Sequence, residues 1–353
     1  MTFLRENIIK ELKQKIANDP KNIENYMNLA NYYADEENYT LALGVYDDIL
    51  KIDPNYFLAL SNAGCMNYSK HCYLEAIKYF KKAKEIEPKN YISYYNLGNV
   101  YAEIDNFDYA FENYNTALKL TKNKPEIYNA LGTLFQDVDN YDEAIRYFKL
   151  SIDENNLNPE TYVSIAVVYQ KKGDKNEALM NFQRAYDLNK KDTTVILCLA
   201  NAFATVKEYY KALYFYKEVL KLEPENYSAL VCSAIAFVET GDTEKAISNL
   251  KYAIEIKPDV ANAYVLLANI LVEEKRCEEA MFLYKTASKI EPENVKILVF
   301  IANTYLLLEN YENTVKYYRK AMKIAPKDNE IKLIYLDMMD KYIKNKKKEK
   351  NEK

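Results

Sequence analysis

Tyr94-Tyr95-Asn96-Leu97-Gly98-Asn99-Val100-Tyr101 and Tyr141-Asp142-Glu143-Ala144-Ile145-Arg146-Tyr147-Phe148 decide the fold of this chain. Each is one instance of a pattern that returns every 34 residues. Stepping by 34 from Ala42 reaches Ala76, Ala110, Ala144, Ala178, Ala212, Ala246 and Ala280, and then the small Thr314. Four residues after each lies a bulky side chain: Tyr46, Phe80, Tyr114, Phe148, Phe182, Tyr216, Leu250, Tyr284 and Tyr318. Twelve residues before each lies Ala30, Gly64, Gly98, Gly132, Ala166, Ala200, Ala234, Ala268 or Ala302. Pro54, Pro88, Pro224, Pro258, Pro292 and Pro326 share one phase, and Lys122, Asn156 and Lys190 replace proline in the middle.

Such a period signals a stack of identical supersecondary units. Within each unit two apolar stretches recur at helical spacing, parted by a short polar turn such as Asp35-Glu36-Glu37-Asn38. The small residues let the two helices, A and B, approach closely, and the aromatic residues fill the groove beside that contact. Proline ends helix B. One pair cannot bury its apolar face alone, so neighbours stack into a continuous core.

These motifs resemble the tetratricopeptide-repeat (TPR) family, helix A in Tyr94–Tyr101 and helix B in Tyr141–Phe148. The family's Trp slot holds Tyr26, Leu60, Tyr94, Tyr128, Tyr162, Ile196, Leu230, Tyr264 and Leu298. The resemblance implies an all-α, right-handed superhelical solenoid of helix-turn-helix units, with nine tandem repeats over residues 23–328. Residues 1–22 are expected to hold an N-terminal capping helix, because Ile8, Leu12 and Pro20 fall in the phases of Ala42, Tyr46 and Pro54. Residues 329–343 are expected to form a C-terminal capping helix with Ile331, Ile334, Tyr335, Met338 and Tyr342 on its apolar side. Residues 344–353 are charged, lack apolar side chains and are expected to be a disordered basic tail with a solubilising role.

Composition narrows the function. The chain has 353 residues, 48 Lys+Arg against 52 Asp+Glu, and a net charge of -4, which is not the footprint of a nucleic-acid binder. The N-terminus carries charges where a signal peptide needs an apolar run, and no window of about eighteen residues is uncharged and apolar, so no membrane role is expected. Cys65, Cys72, Cys198, Cys232 and Cys277 are scattered and odd in number, which reads as free thiols in a reducing, cytoplasmic setting. There is one histidine, His71, in a turn, so neither a His-based metal cluster nor a catalytic triad is available. The glycines never cluster into a phosphate-cradling loop. No enzyme, no cofactor and no metal site is expected.

The remaining signal is the face lined by helix A. The family resemblance places groove-facing side chains at positions 2, 5, 6, 9, 12 and 13, counting the Trp slot as position 4. Position 6 opens with Asn28, Asn62 and Asn96, and position 9 holds Asn31, Asn99, Asn201, Asn269 and Asn303. An amide both donates and accepts, so a row of them can hold an extended backbone whatever its side chains. The first three resemble the asparagine ladder in the TPR superhelix of O-linked N-acetylglucosamine transferases, whose catalytic domain this chain lacks. The alternative is that these amides cap or solvate helix A. Position 5 holds Tyr95 and then the apolar run Val163, Leu197, Val231, Val265 and Val299, and position 12 adds Val238 and Val272. Apolar residues on a face that should be wet suit a partner helix or extended apolar segment; burial against the protein's own neighbours is the alternative. Position 13 is mostly acidic, with Asp35, Glu103, Asp137, Glu239 and Glu273 against Lys171. TPR clamps for acidic C-terminal tails use Lys at position 5 and Arg at position 6, and neither occurs here. The expected function is that of a protein–protein adaptor holding a neutral to basic peptide or helix in its groove. The alternative is a structural or regulatory subunit of a larger or self-associated complex.

Overall fold

The computed structural model describes residues 2–155 and 157–351, with side chains over 5–155 and 157–344. Among the described residues there are twenty α-helices and no strands, in two compact units, Met1–Leu188 and Asn189–Lys353. In the first unit α1 (Thr2–Asn18) precedes five antiparallel pairs: α2 (Ile23–Asp35) with α3 (Tyr39–Ile52), α4 (Phe57–Ser69) with α5 (Tyr73–Ile86), α6 (Tyr91–Glu103) with α7 (Phe107–Leu120), α8 (Pro125–Asp137) with α9 (Tyr141–Glu154), and α10 (Pro159–Lys172) with α11 (Lys175–Leu188). The second unit holds four pairs: α12 (Thr193–Thr205) with α13 (Tyr209–Leu222), α14 (Tyr227–Glu239) with α15 (Thr243–Ile256), α16 (Ala261–Glu273) with α17 (Cys277–Ile290), and α18 (Val295–Leu307) with α19 (Tyr311–Ile324). It closes with α20 (Asn329–Asn351).

Local sequence sets each boundary. The side chains of Asn22, Asn90, Asn158, Asp192, Asn226 and Asn294 accept hydrogen bonds from the first-turn amides of A helices, and Asn38, Asn106, Asn140, Asp242 and Asn310 do the same for B helices. The A–B reversal needs one left-handed residue per turn. Glu37, His71, Asp105, Asp139, Lys207, Lys275 and Glu309 take φ of 55–64°, and Gly173 and Gly241 occupy the same phase.

The periodic alanines are sealed: Ala42 through Ala280 are at most 1 % exposed, and Thr314 is 0 % exposed. The aromatic four residues on seals the A–B contact from the other side. Phe80, Phe148 and Phe182 are among the largest fully buried side chains, with Tyr46, Tyr216 and Tyr318. A tyrosine in this slot carries a hydroxyl that must be paired, and the partner is the position-9 asparagine fifteen residues earlier. Tyr46, Tyr114, Tyr216 and Tyr284 donate to Oδ1 of Asn31, Asn99, Asn201 and Asn269 at 2.9, 2.8, 2.7 and 2.5 Å, and Tyr318 donates to Asn303. Where the slot holds Phe80, Phe148, Phe182 or Leu250, position 9 holds Cys65, Thr133, Val167 or Ile235 instead.

Asn99→Val is expected to destabilise the first unit by about 1–3 kcal/mol, because it strands the Tyr114 hydroxyl in the core. The double variant Asn99→Val/Tyr114→Phe installs the pair found at Val167 and Phe182, and is expected to cost less than Asn99→Val alone. Urea unfolding of both variants reads this; strictly additive losses would mean that the hydroxyl and the amide are not coupled.

Ile331 and Met338 of α20 are buried, and Ile334, Tyr335 and Tyr342 pack half-buried beside them, while Lys332, Asp337, Asp340 and Lys341 face water. The backbone of residues 344–351 departs from the expected disordered tail: it continues α20 as helix. Nothing there breaks a helix, since residues 344–351 contain neither Pro nor Gly and Lys and Glu are good helix formers. Glu352 and Lys353 lie outside the described residues.

Candidate functional site

In the first unit Asn31, Asn62, Asn96 and Asn99 on the A helices are engaged with neighbouring side chains. Asn62 Nδ2 donates to the Tyr46 hydroxyl at 3.3 Å, which itself donates to Asn31. Asn96 Nδ2 lies 3.7 Å from Cys65 Sγ. Asn28 is exposed. Tyr95 is half-buried beside the Tyr114 ring, with centroids 6.1 Å apart. Thus Asn62 and Asn96 tie adjacent repeats together, and Asn31 and Asn99 hold the buried tyrosines of their own repeats.

The position-13 carboxylates differ from one another. Glu103 accepts from the hydroxyls of Tyr68 at 3.0 Å and Tyr73 at 3.3 Å. Partial burial raises the Asp137 carboxyl above its ordinary value; Lys171 pulls it down, and the like charges of Glu103 and Asp105 push it up. Burial also raises the thiols of Cys65, Cys198 and Cys232, which favours their protonated form. All five cysteines are free. Among the described residues no group of His, Cys, Asp and Glu could hold a metal ion, and no helix is long and apolar enough to cross a membrane.

The apolar run divides. Val163 and Leu197 are half-buried on α10 and α12. Val231 is only 5 % exposed and belongs to the core of the second unit, against which Val238, Val265 and Val272 pack half-buried. Val299 packs against the cluster that includes α20. Packing against the core therefore takes up part of the apolar character at position 5.

What stays open lies between α14 and α16. A cleft of about 120 Å³ is bounded there by Ile235, Val238, Leu266 and Asn269, with Glu239 and Glu273 at its edge. These are positions 9, 12, 6, 9, 13 and 13 of two adjacent repeats. Ile235 is 45 % exposed, and neither glutamate is in an ion pair among the described residues. The Asn269 carbonyl is held by Tyr284, whose own ionisation is pushed up to about 12, chiefly by burial. Its amide N–H groups remain to donate. An apolar floor, an amide donor and two carboxylates suit a peptide side chain that is aliphatic along its stem and cationic at its tip. Leu266 and Ile235, which bound this cleft, are not among the site residues expected from sequence, although both lie at groove positions.

This is the architecture of a tetratricopeptide-repeat protein, and the TPR sequence model matches residues 91–124 and 125–156. The chain belongs to the family of the cilia and flagella-associated protein 70 C-terminal domain, whose model matches residues 142–351, more than half of the chain. No curated protein matches it significantly. Solved structures share the fold. A Cut9–Hcn1 hetero-tetramer of the APC/C is 20% identical with a TM-score of 0.54, covering 76% of this chain and 52% of that one. PilF of Pseudomonas aeruginosa is 14% identical with a TM-score of 0.50, covering 60% and 97%. YrrB, described as a TPR protein with an unusual peptide-binding site, is 26% identical with a TM-score of 0.46, covering 52% and 95%. TPR proteins generally mediate protein–protein interactions, and the scaffold is generally non-catalytic.

Proposed function

We propose that the chain is an adaptor that binds a peptide segment of a partner protein on the helix-A face of its second unit and catalyses no reaction. The cleft between α14 and α16 carries this reading, because it joins the exposed Ile235 to two carboxylates that are in no ion pair among the described residues. The segment it fits is apolar with one or more Lys or Arg residues. The binding residues are Val238, Leu266, Asn269, Glu239 and Glu273. We further propose a cytoplasmic location, and the family's name supports the proposal of a role in an assembly of cilia or flagella.

Selection from a displayed peptide library tests this. Wild type is expected to enrich segments that combine Leu, Ile or Val with Lys or Arg. Glu239→Lys/Glu273→Lys is expected to lose them while keeping its helical circular dichroism. Enrichment of the same peptides by both proteins would remove the site from this cleft.

A second reading, a structural subunit of a larger assembly, is favoured by the outer face of the second unit. Tyr210 and Tyr214 of α13 are 78 % and 57 % exposed, and Phe282 of α17 is 71 % exposed. Such rings gain by burial against another protein.

A further inference from the structure

The end of the second unit carries charge of the opposite sign to the helix-A cleft. Lys316, Arg319, Lys320 and Lys323 follow one another at helical spacing on α19 and line a cleft of about 310 Å³ closed on its far side by Tyr342 of α20. Seven residue steps of helix span about 10 Å, so the four cations form one short row. All four are exposed, and none is in an ion pair among the described residues. Glu312 is the one carboxylate in the lining.

Two of the cations are held in place. Arg319 Nε donates to the Tyr335 hydroxyl at 3.2 Å, and its guanidinium lies 5.9 Å from the Tyr335 ring centroid. That contact fixes the plane of the guanidinium and leaves its two terminal nitrogens for a carboxylate. Lys320 Nζ lies 5.0 Å from the Tyr317 ring centroid. We propose that the cleft between α19 and α20 is a second docking site, which takes the carboxylates of an acidic segment of a protein partner, with Arg319 as the bidentate anchor.

A protein segment is favoured over other polyanions by the aromatic side chains. Single-stranded nucleic acid needs open rings on which bases stack, and here the Tyr335 and Tyr317 rings face cations. The row is also short, where a nucleic-acid surface is an extended basic stripe. A concave cleft admits a side chain or chain segment, whereas a bilayer meets a flat or convex face. The site is separate from the helix-A cleft, so its test does not depend on that assignment.

The test is fluorescence anisotropy of the full chain with a labelled hexaglutamate peptide. Wild type is expected to bind, with affinity falling steeply as salt rises. Lys316→Gln/Lys323→Gln is expected to weaken binding about 25-fold, at about fivefold per cation. Arg319→Lys keeps the charge and loses the fork, and is expected to weaken binding about fivefold. Lys251→Gln, on the exposed surface of α15, serves as control and is expected to change nothing. Equal loss in the control and the cleft variants would overturn the proposal as diffuse charge attraction. Tighter binding of a labelled dT8 oligonucleotide, or of anionic lipid vesicles, lost in the same variants, would overturn it in favour of that ligand. Absence of peptide binding at low salt would overturn it outright.

Discussion

Phe148→Ala lowers the stability of the first unit by about 3–5 kcal/mol, read as a fall in the urea midpoint of a fluorescence or circular dichroism transition. Phe148 is fully buried, and its ring lies against the backbone of Gly132, where an ideal Cβ would stand 2.6 Å from Cε1. Removing the ring opens a cavity between α8 and α9 that the facing residue, a glycine, has no side chain to fill. The loss is not confined to one repeat. Each pair depends on its neighbours for a buried face, so a cavity in one pair weakens the interfaces on both sides. A loss below about 1 kcal/mol would show that the helices close over the gap, and that the ring is less important than its burial suggests.

Gly98→Leu is the converse experiment. A Cβ at Gly98 would lie 2.5 Å from Tyr114 Cε1, and the Tyr114 ring is fixed by its hydroxyl bond to Asn99. Leucine forces α6 and α7 apart and is expected to cost about 2–3 kcal/mol. Gly98→Ala is expected to fall within about 1 kcal/mol of wild type, because the gain in helix propensity offsets the tighter contact. The chain itself supplies the precedent: Ala200 faces Tyr216, Ala268 faces Tyr284 and Ala302 faces Tyr318 in the same register. Equal losses for alanine and leucine would mean that the Cβ contact alone, not the bulk of the longer side chain, explains the glycine.

The repeat is readable in the sequence because its signal is redundant. Ala42 and its eight successors, the aromatic four residues on and the small residue twelve before all mark one interface, so a single deviation such as Leu250 or Thr314 leaves the register intact. The tail at 344–351 misleads because charge and lack of apolar residues argue against packing but not against helix, and α20 extends from a packed stem. The groove is harder for a different reason. Position alone puts Asn99 and Asn201 on the open face, yet a long side chain on that face can reach inward. The clue is present as covariation between repeats, since Asn occurs at position 9 only where the aromatic slot holds Tyr. Position 5 shows the same ambiguity: Val231 is core and Val265 packs half-buried against it, although both sit at a position expected to face the groove. The cations of α19 are legible as Lys316, Arg319, Lys320 and Lys323 at one-face spacing, but only the packing of α20 makes them the wall of a cleft.

The bonds in which a buried tyrosine donates to asparagine all fall inside single repeats, fifteen residues apart, with both partners carried by one contiguous segment. A duplication or deletion of a whole 34-residue unit thus moves donor and acceptor together and leaves no hydroxyl stranded. A crossover between an A helix and a B helix of unlike repeats would instead join Asn to Phe or Val to Tyr. The lock makes the whole unit the natural quantum of recombination, and lets a lineage lengthen or shorten the array without first repairing its interior.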